Sequence, residues 1–209
     1  GNILNEIVNN DRVIGGINNK SSKLAKDFYS TFCNGKLITT DSKTAELVKL
    51  AENSYRDINI AFANELSMIC DKLEINSQEL INIANHHPRV NILKPGCGVG
   101  GHCIAIDPWF LASEFPKQTP LIQTSRKVNK QKTKWVINKI KNEINIHKNP
   151  KKEKIKVGIL GLAFKPDVDD LRESPAVFIA EQLINEGIDI LCSEPFISSH
   201  KNINLFELN

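Results

Sequence analysis

NHHPRVNILKPGCGVGGHCIAIDPWF, residues 85–110, is the stretch around which the rest of the chain is arranged. It carries Gly96, Gly98, Gly100 and Gly101, two of the five cysteines and three of the five histidines. Glycines this close together let a backbone turn sharply or pass tightly against a neighbour. Cys103 follows at once, and Asp107-Pro108 reads as an N-cap and first-turn proline for a helix to Phe115. A cysteine on a tight glycine loop ahead of a helix N-terminus is a candidate nucleophile. The plainer alternative is a glycine-rich turn holding a small buried residue. Gly96 to Gly101 also spells G-x-G-x-x-G. A dinucleotide fingerprint needs a strand before it, a helix directly after, and an acidic residue about 20 positions on. Here Lys94-Pro95 precedes, Pro108 comes too soon and no strand follows at that distance, so this is not a cofactor loop.

Upstream, Asn76-Ser77-Gln78-Glu79 reads as a capped start for a short helix through Ala84, which His86-His87-Pro88 ends. Before it, Asp41-Ser42 opens the clearest helix of the chain. Leu47, Ala51, Tyr55, Ile58, Phe62, Leu66, Ile69 and Leu73 recur at steps of four and three, an apolar stripe of helical period. From Ser42 to Leu73 such a helix is roughly 48 Å long. A helix of that length crosses between domains or builds a subunit interface. Lys49, Asn53 and Asp57 form a second stripe beside it, either a solvent-facing strip or a functional face. The first 41 residues read as helix, strand (Arg12–Gly16), helix (Lys23–Phe32) and strand (Lys36–Thr39). That is the closing part of an α/β unit, so the chain is expected to begin inside a domain.

Downstream, Thr119-Pro120 opens a further long helix carrying Leu121, Val128, Trp135, Ile140 and Ile144. The basic run Lys148 to Lys156 contains Asn149-Pro150 and reads as a solvated linker. A strand (Ile155–Leu162), a helix (Ser174–Asn185) and a strand (Ile188–Cys192) then open a doubly wound unit that Asn209 cuts short. Gly158-Ile159-Leu160-Gly161 follows the first of these strands, as a nucleotide-phosphate turn or as a close packing turn. The fold class is α/β with an all-helical middle. Its parts are 1–41, the end of one Rossmann domain; 42–147, a helical central domain with the cysteine loop; 148–154, the linker; and 155–209, the start of a second, Rossmann-like domain.

A chain of 209 residues with a formal charge of +3 is too mildly basic to argue for nucleic acid. No run approaches the ~18–20 apolar residues of a membrane span, and no signal pattern opens the chain. A cytoplasmic location with Cys33, Cys70, Cys97, Cys103 and Cys192 as thiols is the expectation. With no C-x-x-C, and with Cys97, His102 and Cys103 unmatched by a second pair of ligands, no metal site is expected.

Three blocks in order carry a resemblance: TAELVKLAENSYRDINIAFANELS (Thr44–Ser67), HPRVNILKPGCGVGGHCIAIDPWF (His87–Phe110) and GILGLAFKPDVDDLRESPA (Gly158–Ala176). The chain resembles the nucleotide-sugar 6-dehydrogenases, the family of the UDP-glucose and GDP-mannose enzymes. The wording HPRVNIL and GGHCIAIDPWF places it on the N-acetylhexosamine side. The resemblance implies NAD-dependent four-electron oxidation of the 6-hydroxymethyl group of UDP-N-acetylmannosamine, with UDP-N-acetylglucosamine as the alternative substrate. It implies an NAD-binding Rossmann domain, a long-helix homodimer and a UDP-sugar-binding domain. In this family the cofactor glycine loop and a catalytic glutamate would precede Gly1, and most of the sugar-nucleotide domain would follow Asn209. Cys97 stands where a proline is more usual.

Residue by residue, the resemblance makes Cys103 the nucleophile that holds an aldehyde as a thiohemiacetal and then a thioester. Lys49 and Asn53 match a pair that holds the hydroxyl and the developing alkoxide, and Asp107 matches a residue that orients water. Gly98, Gly100 and Gly101 would pass against the sugar, and Lys165 would be a substrate ligand. Arg89 would reach the sugar nucleotide from the neighbouring subunit, and Arg172 would lie near the NAD phosphates. His102 is either a packing residue or a substrate contact. A different class of reading is a non-catalytic dimerising core without a working cofactor site. A cysteine hydrolase lacks a convincing histidine partner.

Overall fold

The computed structural model describes residues 2–148 and 155–207, so most of the expected linker, 149–154, lies outside the described residues. The elements are α1 (Ile3–Asn9), β1 (Arg12–Gly16), α2 (Asn19–Tyr29), β2 (Leu37–Asp41), α3 (Ser42–Lys72), α4 (Ser77–Ala84), α5 (Asp107–Glu114), α6 (Pro120–His147), β3 (Lys156–Leu160), α7 (Pro175–Asn185) and β4 (Asp189–Ser193). The chain divides into two compact units, Gly1–Asn53 and Ser54–Asn209.

In the first unit β1 and β2 run parallel, in register from Arg12 opposite Leu37 to Gly16 opposite Asp41, with α2 as the crossover. The helix starts four residues earlier than the apolar pattern suggests. The Asn18 side chain accepts the Ser21 N–H at 2.9 Å and sets the first turn there. Asp41 opens α3 as expected: its carboxylate accepts the Thr44 N–H at 3.0 Å and the Thr44 hydroxyl at 2.6 Å. Those two donors hold its carboxyl below the usual carboxylate range.

In the second unit β3 and β4 are parallel, from Lys156 opposite Asp189 to Leu160 opposite Ser193. Their crossover, α7, is capped by Ser174, whose Oγ accepts from Val177 N–H and donates to the Leu162 carbonyl at 2.6 Å. After β4 the chain returns to the sheet, where Phe206 N–H bonds the Cys192 carbonyl at 2.8 Å. One apolar cluster gathers Leu162, Ala180, Cys192 and Ile203. Another gathers Ile137, Ile179 and Leu183, and Cys97 of the glycine loop packs into it. Burial there pushes the Cys97 thiol up.

Two expected caps are absent. Ile106, not Asp107, stands at the N-cap position of α5, and it makes no side-chain cap hydrogen bond. The Cys103 carbonyl instead takes the N–H groups of Ile106 and Asp107, at 3.0 and 2.8 Å, so one turn runs from the cysteine into the helix. Thr119 caps nothing either; its hydroxyl donates back to the Phe115 carbonyl at 2.8 Å. Both prolines do sit in the first turn.

The long helix buries an unexpected face. Its apolar stripe is open, with Leu47, Tyr55, Phe62, Ile69 and Leu73 between 49% and 67% exposed. Within the second unit, the buried residues of α3 are Ser54, Asp57, Ala61, Ala63, Asn64 and Cys70, three of the six polar. Asp57 is fully buried, and its two carboxylate oxygens meet Arg126 Nη1 at 2.5 Å, Asn129 Nδ2 at 2.7 Å and Ser125 Oγ at 3.0 Å, all from α6. Asn129 then accepts from Asn64 Nδ2 at 2.9 Å, and Asn64 Oδ1 accepts the Gly96 N–H at 2.9 Å. Leu, Ile or Val would fill this seam more cheaply, because burying an ion pair costs about as much as it returns. Removing one partner is far worse. Asp57→Ala leaves the Arg126 guanidinium buried without its anion and is expected to cost about 3–5 kcal/mol. Urea denaturation measures this; a loss below about 1 kcal/mol, the worth of a surface pair, would contradict the assignment.

Candidate active site

The glycine loop is seated by hydrogen bonds to three segments. Asn64 holds the Gly96 N–H, Thr133 Oγ1 donates to the Cys97 carbonyl at 2.7 Å, and Gly101 N–H bonds the Arg172 carbonyl at 2.9 Å. Two glycines are required by conformation and by space together. Gly98 has φ +144°, and a Cβ there would overlap Thr133 Oγ1 and stand 3.1 Å from Pro175. Gly101 has φ +88°, and its Cβ would stand 2.8 Å from the Phe164 ring. The close approach these glycines make is thus to the protein itself, to Thr133, Phe164 and Pro175.

Cys103 is half-buried at the far end of this loop. Asp107, also half-buried, heads α5, with its N–H on the Cys103 carbonyl. Across from the loop runs the segment 164–175. Its Asp170 accepts from Arg172 side-on, Nε to Oδ1 at 3.0 Å and Nη2 to Oδ2 at 2.6 Å, and Oδ2 lies 3.7 Å from His102 Nδ1. The Arg172 hydrogen bonds hold the Asp170 carboxyl far below the usual range, and Asp170 raises Arg172 in return. Lys165 is exposed, its ammonium 5.7 Å from the Phe164 ring centroid. Cys103, Asp107, His102, the loop glycines, Lys165 and Arg172 therefore come from two segments that touch one another.

The remaining candidates are placed differently. Lys49 and Asn53 belong to the first unit, one helical turn apart. Lys49 has a 64% exposed side chain 3.5 Å from Glu52, on the wall of a cavity of about 760 Å³ shared with Arg12 and Tyr29. Asn53 is only 3% exposed. Arg89 is exposed; its backbone N–H reaches His87 Nδ1 at 3.3 Å, and its guanidinium makes no ion pair among the described residues.

Asp170 and Glu194 were not singled out in the sequence. Asp170 was visible only as one of two adjacent aspartates before Leu171-Arg172. Glu194 follows β4, and its Oε2 accepts the N–H groups of Leu162 and Ala163 at 2.7 and 2.9 Å. Burial pushes this carboxyl up, but those two donors and the Phe196 N–H outweigh it and hold the group low. The N–H groups of Leu162 and Ala163 after β3 are thus spent on an internal carboxylate, while a Cβ at Gly158 or Gly161 would meet open space. Among the described residues, no three His, Cys, Asp or Glu side chains converge as metal ligands, and no helix is long and apolar enough to cross a membrane.

Comparison with known proteins gives this geometry a family. Residues 43–131 match the central domain, and residues 158–208 the UDP binding domain, of the UDP-glucose/GDP-mannose dehydrogenase family. A UDP-N-acetyl-D-mannosamine dehydrogenase of Campylobacter jejuni is 54% identical over 94% of this chain and 47% of its own length. An NDP-N-acetyl-D-galactosaminuronic acid dehydrogenase of Ralstonia nicotianae is 49% identical over 94% and 46%. Among solved structures, the UDP-N-acetyl-mannosamine dehydrogenase Cap5O from S. aureus superposes with a TM-score of 0.85 at 44% identity, covering 98% of this chain and 48% of that one. The chain spans about half the length of the curated relatives it matches.

Proposed function

Because the chain belongs to the UDP-glucose/GDP-mannose dehydrogenase family, we propose that it carries the catalytic-cysteine part of an enzyme that oxidises the 6-hydroxymethyl group of UDP-N-acetylmannosamine to the carboxylate. The observation that carries this reading is Cys103 itself, half-buried on a glycine loop clamped against the 164–175 segment. The names of the Campylobacter jejuni and Ralstonia nicotianae relatives share a 2-acetamido sugar and support an N-acetylhexosamine substrate.

In this reading residues 1–41 close an NAD-binding Rossmann domain, 42–147 form the central domain and 155–209 open the UDP-sugar domain. Lys49 and Asn53 hold the C6 oxygen as its proton leaves. Once C6 is an aldehyde, the Cys103 thiolate adds to the carbonyl carbon, a C–S bond forms and the carbonyl oxygen takes a proton. Loss of the remaining hydride from that carbon, with the hydroxyl proton, leaves a thioester. Water oriented by Asp107 attacks it, the C–S bond breaks, and carboxylate and free thiol return. Gly98, Gly100 and Gly101 line the sugar with backbone, Lys165 meets the nucleotide sugar, and Arg89 does so from the neighbouring subunit.

Both oxidations need a hydride acceptor, and the family reading makes it NAD, two equivalents per substrate. Arg172, which the family resemblance puts near the NAD phosphates, is held by Asp170. The open apolar stripe of α3 is the surface for a second copy of the chain, and the cytoplasm is the proposed location.

Replacing Cys103 by Ser is expected to lower uronate formation by on the order of a thousandfold or more, as loss of a covalent nucleophile does. The readout is NADH formed per UDP-N-acetylmannosamine consumed, compared with the glucosamine and galactosamine epimers; unchanged turnover in Cys103→Ser would sink the reading. For the dimer, Phe62→Asp should convert a two-chain species into a one-chain species by light scattering. An unaltered mass would place the interface elsewhere.

A further inference from the structure

Thr133 is a poor choice for a helix and a good one for a loop anchor. A β-branched side chain in the middle of α6 gives up rotamer freedom, and a helical threonine hydroxyl ordinarily bonds back to a carbonyl one turn earlier. Here the hydroxyl leaves its own helix and donates to the Cys97 carbonyl at 2.7 Å. Thr133 is 8% exposed, so water competes weakly for that carbonyl. Cys97 is held a second time through its side chain, which packs on the cluster of Ile137, Ile179 and Leu183. Gly96, just before it, gives its N–H to Asn64 at 2.9 Å. Gly98, just after it, lies so close to the Thr133 hydroxyl that a Cβ would overlap it. The loop from Gly96 to Gly101 contains no helix or strand of its own, so these contacts set its place. Asn64 ties it to α3 and Thr133 ties it to α6.

We propose that Thr133 is a positioning residue for the aldehyde step: by fixing the Cys97 carbonyl to α6 it keeps the loop in the one place from which Cys103 captures the C6 aldehyde before it leaves. This rests on Cys103 being the nucleophile. After the first hydride transfer the aldehyde has two fates. In one it adds to the sulfur, a C–S bond forming as the carbonyl oxygen takes a proton, and goes on to a second NADH and the uronate. In the other it dissociates, having yielded a single NADH. Addition needs the sulfur at near-attack distance from the carbonyl carbon, and a displacement of about 1 Å costs on the order of a hundredfold in rate. Dissociation carries no such demand, so a slack loop shifts the partition toward escape.

The test is made on the whole enzyme with UDP-N-acetylmannosamine and NAD, with semicarbazide present to capture free aldehyde. The unaltered enzyme should form two NADH per uronate and almost no semicarbazone. Thr133→Val removes the donor at nearly constant shape and is expected to raise that ratio to about three or more, with semicarbazone accounting for the difference. Thr133→Ser keeps the hydroxyl and should return the ratio to near two. A ratio is blind to how much of the protein is folded, so a purely structural defect leaves it unchanged. Hydrogen exchange at the Gly96 N–H gives a readout without turnover. It should be about tenfold faster in Thr133→Val and near the original rate in Thr133→Ser. An unchanged ratio or an unmoved Gly96 rate in Thr133→Val, or a Thr133→Ser that behaves like Thr133→Val, would overturn the proposal. If Thr133→Val does not fold, Thr133→Ala takes its place under the same requirements. Failure of the underlying reading shows differently, as uronate still formed by Cys103→Ser.

Discussion

A fully buried carboxylate, Asp57, is the constraint on which the central part of this protein depends. An aspartate taken out of water is tolerable only if donors surround it. Arg126, Asn129 and Ser125 do so from one side of α6. Because both helices present polar groups to this seam, their register is fixed by hydrogen-bond geometry, where an apolar seam would slide at small cost. The spare amide of Asn129 passes the constraint to Asn64, and Asn64 passes it to Gly96 at the head of the glycine loop. The position of the loop that carries Cys103 is therefore set, at one end, by a chain of buried polar contacts.

The other end of the loop is set by close packing. Gly98 and Gly101 occupy backbone conformations that side chains resist, and they lie where a Cβ would strike Thr133, Pro175 or Phe164. The segment that supplies Phe164 and Pro175 also supplies Asp170 and Arg172. One surface thus serves as mould for the loop and carries the Asp170–Arg172 pair that meets His102. Glu194 stabilises the start of that segment by taking the Leu162 and Ala163 N–H groups. Each of these groups stands outside the proposed chemistry and shapes its geometry.

Much of this was legible in the sequence, and the exceptions share a cause. Helices and strands follow apolar period and cap residues, which are local, so β1, β3, α3, α4, α6 and α7 stand within a few residues of expectation. Asn18 was overlooked as a cap, and α2 began earlier for that reason. Asp107 was read as a cap because Asp before Pro usually is one, but the turn closed by its N–H on the Cys103 carbonyl draws it into α5 as the first helical residue. The stripe Lys49, Asn53, Asp57 was visible; that its Asp57 lies fully buried on Arg126 was not, since the partner is 69 residues away. The glycines were recognised as marking close approach, but what they approach lies on a distant segment. Helical period finds an apolar face without saying what covers it, and on α3 that face is open.

The central claim is that Cys103 carries the substrate covalently between its two oxidations. Its most direct test is an acid quench of the protein mixed with UDP-N-acetylmannosamine and NAD, followed by mass spectrometry of the Cys103 peptide. A thioester intermediate predicts added mass equal to the nucleotide-sugar acyl group on that peptide, removable by hydroxylamine. Uronate formation with Cys103 unmodified at every quench time, in enzyme whose adduct is stable to the quench, would contradict it.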